Sequence, residues 1–168
     1  GSAVGILATE KAALCHKCTA KAARFVRLCD AYSIPVVTVV NTEGFGKSEG
    51  DDQAGGIRQA AQLLRDIHQY ALRVRRAGCS MASMIRKTWV GPAYTVFAAC
   101  ADWRVAVQGC TVAPLAPEAA VTVLYKDEIF ASDNIVNATK AKAAAYAKEV
   151  CSANAAVANG AADAIADA

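Results

Sequence analysis

The chain has 168 residues, of which 55% are hydrophobic and 20% charged, with a formal net charge of +3 and only 4 prolines. That balance excludes a disordered chain and lacks the strongly basic, clustered charge of a nucleic-acid binder. One domain with its own core is expected, without membrane insertion, because no apolar run reaches the roughly 18 residues that span a bilayer.

No basic stretch followed by an apolar one marks a signal peptide, so a cytoplasmic protein is expected, with Gly1-Ser2 a cloning remnant. Alanine fills about a quarter of the positions, and as the best helix former it predicts closely packed helices. Seven cysteines, odd in number and irregular in spacing, do not make a disulfide framework. Most sit among alanines and valines, where a free thiol behaves as a small apolar side chain.

In chain order, Val4–Ala8 reads as a first strand. Ala22, Phe25, Val26, Cys29 and Tyr32 then repeat at helical spacing from about Thr19 to Tyr32. Ser33-Ile34-Pro35 stops that helix, because the residue before proline avoids the α region. Val36–Val40 is the clearest strand, a continuous β-branched run of the kind a parallel strand covered on both faces shows. The glycine- and acid-rich stretch from Asn41 to Gly56 reads as a flexible loop with no element of its own. A second helix follows, with Ile57, Ala60, Ala61, Leu64, Ile67 or His68, Ala71 and Val74 on one face.

Met81–Arg86 is a strand made of poor β material. Gly91-Pro92 opens a helix through Cys100, with proline in the first turn where its missing N–H costs nothing. Arg104–Val107 and Thr111–Ala113 read as short strands, Pro117 starts a helix, and Ala138–Val150 is another. Asn154–Ala168 holds a short helix and a final strand. Strands separated by helices predict an α/β fold with a mostly parallel sheet flanked by helices.

Cys15-His16-Lys17-Cys18 is the most conspicuous short motif. A structural zinc site needs a second pair, which is missing, and a redox pair should follow a strand and open a helix, which this position fits loosely. Ordinary thiols are the favoured reading. His16 and His68 stand at no triad spacing from a serine or aspartate. Arg73, Arg75, Arg76, Arg86 and Lys87 are either a phosphate receiver or a solvated helix end. Thr42-Glu43-Gly44-Phe45-Gly46 follows the strongest strand, at the carboxyl end of the sheet where α/β folds bind ligands. Val90-Gly91-Pro92-Ala93-Tyr94 likewise joins a strand to a helix, leaving backbone N–H groups free to hold an oxyanion. Two such turns suit enolate or thioester chemistry; as an alternative, both are merely tight turns.

Lys21–Pro35 is similar to the "KAARFVRxCDxFxIP" segment of biotin-dependent acyl-CoA carboxyltransferases, from the C-terminal half of the carboxyltransferase subunit of propionyl-CoA carboxylase and its relatives. Asn41–Phe45 resembles the family's "DTPGF", Asp52 and Gly55 its "ExxG", Ala61–Leu64 part of its "GAKLL", and Arg86–Tyr94 its "RKAYGGAY". Ser152, Ala156, Gly160 and Asp163 keep the spacing of "SPxxAAxxGxVD". The order and spacing of these segments, from about Val4 to Asp167, are more specific than any one of them.

The resemblance implies the crotonase-like (ClpP/crotonase) ββα superhelix and a single C-type carboxyltransferase domain over 1–168. It implies carboxyl transfer between biotin, on a partner carrier protein, and an acyl-CoA. Negative charge on the biotin ureido oxygen would be held by backbone N–H groups of the turn that is here Gly91, Pro92 and Ala93. Gly44, Phe45, Tyr94 and Thr95 would shape the biotin and acyl sides. An N-type carboxyltransferase domain or subunit, which binds coenzyme A, would complete the site, so the chain is incomplete alone. A homo-oligomer is expected, a dimer, trimer or hexamer. Carboxylases and decarboxylases share these features. Three departures stand out: Pro92 has no N–H to donate, Asn41 and Glu43 replace the family's aspartate and proline, and Gln69–Ile85 is longer than its counterpart and unlike it. Pro92 and the Gln69–Ile85 stretch support a rival expectation, a catalytically degenerate crotonase-like subunit with an assembly role.

Overall fold

The structure is a computed structural model that describes residues 1–168 except 2, 11, 12, 77–80, 92–95, 98, 99 and 168, together with the side chains of 75 and 87–90. Its elements follow in the order β1 (Gly5–Ala8), α1 (His16–Ala31), β2 (Val36–Thr42), α2 (Glu49–Gln53), α3 (Gly56–Arg76), β3 (Ala82–Val90), β4 (Trp103–Val107), β5 (Thr111–Ala113), α4 (Pro117–Leu124), α5 (Lys126–Phe130), α6 (Ile135–Val150), α7 (Ala153–Ala158) and β6 (Ala164–Ala166). Among the described residues every strand pair is parallel, in the order β1-β2-β3-β4-β6. No helix among them is long and apolar enough to cross a membrane.

The central strand is β3, and it divides its far edge between two neighbours. Residues Ala82–Ile85 pair with β4, and Thr88–Val90 with β5. The weak β propensity of Met81–Met84 is overridden by burial: Met81 and Ile85 are enclosed in the core. Ser83 is enclosed too, and its hydroxyl accepts from Thr38 Oγ1 at 2.7 Å, which satisfies both polar groups. The alternation along β2 is clean, with Val36, Thr38, Val40 and Thr42 buried and the residues between them half-buried.

Helices α1 and α3 pack against each other. Ala22, Val26 and Cys29 of α1 are buried as predicted, Ala23 is buried beside them and Phe25 is half-buried, whereas Tyr32 lies beyond the helix end and is exposed. On α3 Ile67, Ala71 and Val74 are buried as predicted, but the rest of the stripe is Leu63 and Tyr70, while Ala60 and Leu64 are half-buried and Ala61 is exposed. Ile57 is 79% exposed and His68 faces solvent. The cause is Tyr70: its hydroxyl accepts from the Val36 N–H at 2.8 Å and donates to the Ile34 carbonyl at 3.0 Å. That ties α3 to the entry of β2 and fixes the helix rotation.

The Asn41–Gly56 stretch contains a short helix, against expectation. Ser48 caps it, its hydroxyl accepting from the Asp51 N–H at 3.1 Å, so the capping pattern prevails over the glycines. Helix α6 begins three residues before Ala138, capped by Asn134, and its alanines mostly face solvent, with Ala143 buried. Val121, Ile129 and Ala143 form a small core of their own, packed by Tyr125 and Tyr146 and separate from the main one. The predicted helix from Gly91 to Cys100 lies largely outside the described residues.

Candidate functional site

Strands β2 and β3 end side by side, with Thr42 in register with Trp89, so the turns that follow them leave the same edge of the sheet. After β2, Thr42 Oγ1 accepts from the Gly44 N–H at 3.2 Å and donates to the Gly44 carbonyl at 3.1 Å, closing the turn locally. The Leu14 N–H donates to the Gly44 carbonyl at 2.9 Å, and the Gly46 N–H to the Leu14 carbonyl at 2.7 Å. Residues 44–46 are thus held as an extra strand segment, bridged in parallel at Leu14 and Phe45.

After β3, Gly91 adopts φ +64, a left-handed conformation that costs other residues about 1–2 kcal/mol. A Cβ at Gly91 would lie 3.4 Å from the Glu43 carbonyl oxygen. The two glycine turns singled out in the sequence are therefore neighbours. Gly44, Phe45 and Gly91 are brought together; Pro92, Ala93, Tyr94 and Thr95 lie outside the described residues. Phe45 is half-buried and packs against the main core.

Sequence reasoning missed the residue that organises this edge. Asp51 Oδ1 accepts from the His16 N–H at 3.1 Å and lies 2.8 Å from His16 Nδ1, while its Oδ2 accepts from the Ser48 hydroxyl at 2.8 Å. Hydrogen bonds from the His16 ring, the His16 backbone and Ser48 hold the carboxyl at about 2, well below the ordinary 3.8. A Cβ on Gly46 would overlap Asp51 Oδ2, so that position accepts no side chain without displacing Asp51. His16 thus does have an aspartate partner, 35 residues away in sequence and invisible to local spacing. The Ser48-x-x-Asp51 pattern was the available signal.

Beside the Gly44 turn opens a cleft of about 610 Å³, lined by Glu43, Lys47, Thr111, Glu118, Lys140 and Ala143 among others. Of the arginine-rich group, Arg73 bonds Asp30 at 2.6 Å and Arg86 bonds Glu10 at 2.5 Å, while the side chains of Arg75 and Lys87 lie outside the described residues. The six described cysteines are thiols, with no disulfide among them, and Cys79 lies outside the described set. Burial pushes the thiols of Cys29, Cys110 and Cys151 up.

The family model described as "Carboxyl transferase domain" matches residues 1–168. The chain belongs to that family. This carboxyl transferase domain is 34% identical over 154 residues to a putative propionyl-CoA carboxylase beta chain of Bacillus subtilis, which covers 88% of the domain and 29% of that protein. It is 32% identical over 141 residues to the carboxyltransferase subunit of propionyl-CoA carboxylase from Haloferax mediterranei, covering 80% of the domain and 26% of that subunit. The domain thus spans less than a third of the length of these relatives.

Among solved structures, transcarboxylase 12S, a hexamer with methylmalonyl-coenzyme A and methylmalonic acid bound, superposes with a TM-score of 0.84 at 25% identity. The match covers 98% of the domain and 32% of that chain. The beta subunit of the P. aeruginosa geranyl-CoA carboxylase superposes at 0.80 over 99% of the domain and 32% of that chain, at 18% identity. The carboxyl transferase domain thus has the crotonase-like α/β fold that the sequence resemblance implied.

Proposed function

We propose that this chain is a C-type carboxyl transferase domain working on the biotin side of carboxyl transfer to or from an acyl-CoA. The observation that carries the reading is the approach of Gly91 to the Glu43 carbonyl. It sets two glycine turns together at the carboxyl end of parallel strands, where ligands of open α/β sheets bind. The cleft beside them is of the size that small-molecule sites occupy, about 300–1,000 Å³. Its pairing of Lys47 and Lys140 with apolar residues such as Pro117 and Ala143 fits a polar bicyclic ring on an apolar arm.

Biotin, attached to a partner carrier protein, supplies a ureido nitrogen that carries the carboxyl group. The chain's own part is electrostatic. Backbone N–H groups of the turn after β3 meet negative charge that develops on the ureido oxygen, and they need no reorganisation to do so. Gly91 and Ala93 are the donors, since Pro92 has none. The Gly44–Phe45 turn, fixed by Leu14, shapes the biotin side, and Tyr94 and Thr95 border the acyl group. An N-type domain supplies the coenzyme A contacts. The hexameric transcarboxylase 12S supports a homo-oligomer of the same kind.

The test is a carboxyl-exchange assay of the chain with free biotin and malonyl-CoA or methylmalonyl-CoA, alone and with an N-type carboxyltransferase domain added. Activity is expected only with the added domain. Pro92→Gly, which restores a donor, should raise the rate by up to about 10²–10³. A folded chain inactive in both mixtures would leave the assembly role, which the missing Pro92 N–H favours.

A further inference from the structure

The Cys15-x-x-Cys18 motif is left unused by the carboxyl-transfer reading. Cys15 is the N-cap of α1, with extended backbone, and Cys18 lies one turn in. The Cys15 thiol donates to Cys18 Sγ at 3.1 Å, so the two sulfurs already stand within about 1 Å of bonding distance. Both residues are half-buried, unlike the enclosed Cys29, Cys100, Cys110 and Cys151. Cys18 also lines an open cleft of about 540 Å³ together with Leu14 and Lys21. A thiolate at a helix N-terminus is favoured by the positive end of the helix dipole. Among the described residues no group of three or more metal-ligating side chains exists.

Position gives the pair a route to the rest of the molecule. Cys15 follows Leu14, whose backbone holds Gly44 and Gly46, and precedes His16, held by Asp51. We infer that Cys15 and Cys18 are a reversible dithiol–disulfide site, closed by low-molecular-weight disulfides, whose state is transmitted through Leu14 to the Gly44–Phe45 turn. The Cys15 thiolate attacks one sulfur of an organic disulfide, breaking its S–S bond and releasing one thiolate. The Cys18 thiolate then displaces the second thiolate from the mixed disulfide. The protein dithiol loses two electrons, the organic disulfide is reduced to two thiols, and these take up the two protons. The inference stands independently of the reaction the domain performs.

The test is a redox titration of the full, reduced chain in buffers of oxidised and reduced glutathione, quenched by acid and alkylation and read by peptide mass spectrometry. A 15–18 disulfide should form before any other cysteine is modified, in one two-electron transition that dithiothreitol reverses. Cys18→Ser should trap a glutathione adduct on Cys15. Hydrogen exchange of the Leu14 and Gly46 amides should differ between the two forms. Alkylation of Cys15 and Cys18 throughout the titration, or their pairing with other cysteines, would overturn the site. A 15–18 disulfide that leaves those amides unchanged would overturn its transmission.

Discussion

Replacing Tyr70 with Phe removes one oxygen and leaves every carbon in place, so its effect isolates a pair of hydrogen bonds. Tyr70 is 0% exposed and Val36 1% exposed. The lost hydroxyl accepts from the Val36 N–H and donates to the Ile34 carbonyl. A buried donor left unpaired costs about 1–3 kcal/mol. The Ile34 carbonyl sits in a half-buried residue that water partly reaches, and adds little. The expected loss is therefore about 2 kcal/mol, dominated by the Val36 N–H, which lowers the melting temperature by about 4–8 °C in a chain of this length. Urea denaturation of Tyr70→Phe beside Tyr32→Phe measures it. Tyr32 is 72% exposed, so its variant should stay within about 0.5 kcal/mol of the parent. A Tyr70→Phe variant equally close to the parent would refute the argument that this hydroxyl fixes α3 on the start of β2.

Gly46→Ala forces a methyl against Asp51 Oδ2 and should cost about 1–3 kcal/mol in a chemical melt. If Asp51 is the obstacle, Gly46→Ala combined with Asp51→Ala will cost less than the sum of the two. Gly91→Ala meets only an ordinary contact with Glu43, so its cost should be the left-handed backbone alone, about 1–2 kcal/mol; a much larger loss would mean a tighter turn than described. Because the folded Asp51 carboxyl titrates near 2 rather than 3.8, its stabilisation is complete above the unfolded value and disappears as pH falls toward 2. Asp51→Asn should therefore flatten the stability profile between these limits, and an unchanged acid limb would count against the His16–Asp51 contact.

Much of the fold was legible because local signals agreed with the final packing. Val36–Val40 reads as a buried parallel strand and is one, and the proline punctuation at Pro35 and Pro117 falls where elements change. The failures share a cause: long-range partners that no window of sequence contains. Met81–Arg86 read as poor β material, and the partner that satisfies its buried Ser83, Thr38, lies 45 residues away. On α3 the burial of Tyr70 was missed because its hydroxyl is drawn in by two backbone groups 34 and 36 residues earlier. At the candidate site the two glycine turns could be named in advance, but their contact and the role of Asp51 could not. The departures at Pro92 and Glu43 were visible only against the resemblance.

The helices α4 to α6, with their separate small core, carry a consequence for motion. A unit that shares few buried side chains with its surroundings can open by itself, at a free energy below that of global unfolding. Glu118 of α4 and Lys140 and Ala143 of α6 form one wall of the cleft, and Glu43 and Lys47 the other. The width of the cleft is thus governed by the less costly of two openings, while the sheet edge stays fixed. A ligand that touches both walls would slow amide exchange in α6 toward the rates of β2, joining two cooperative units into one.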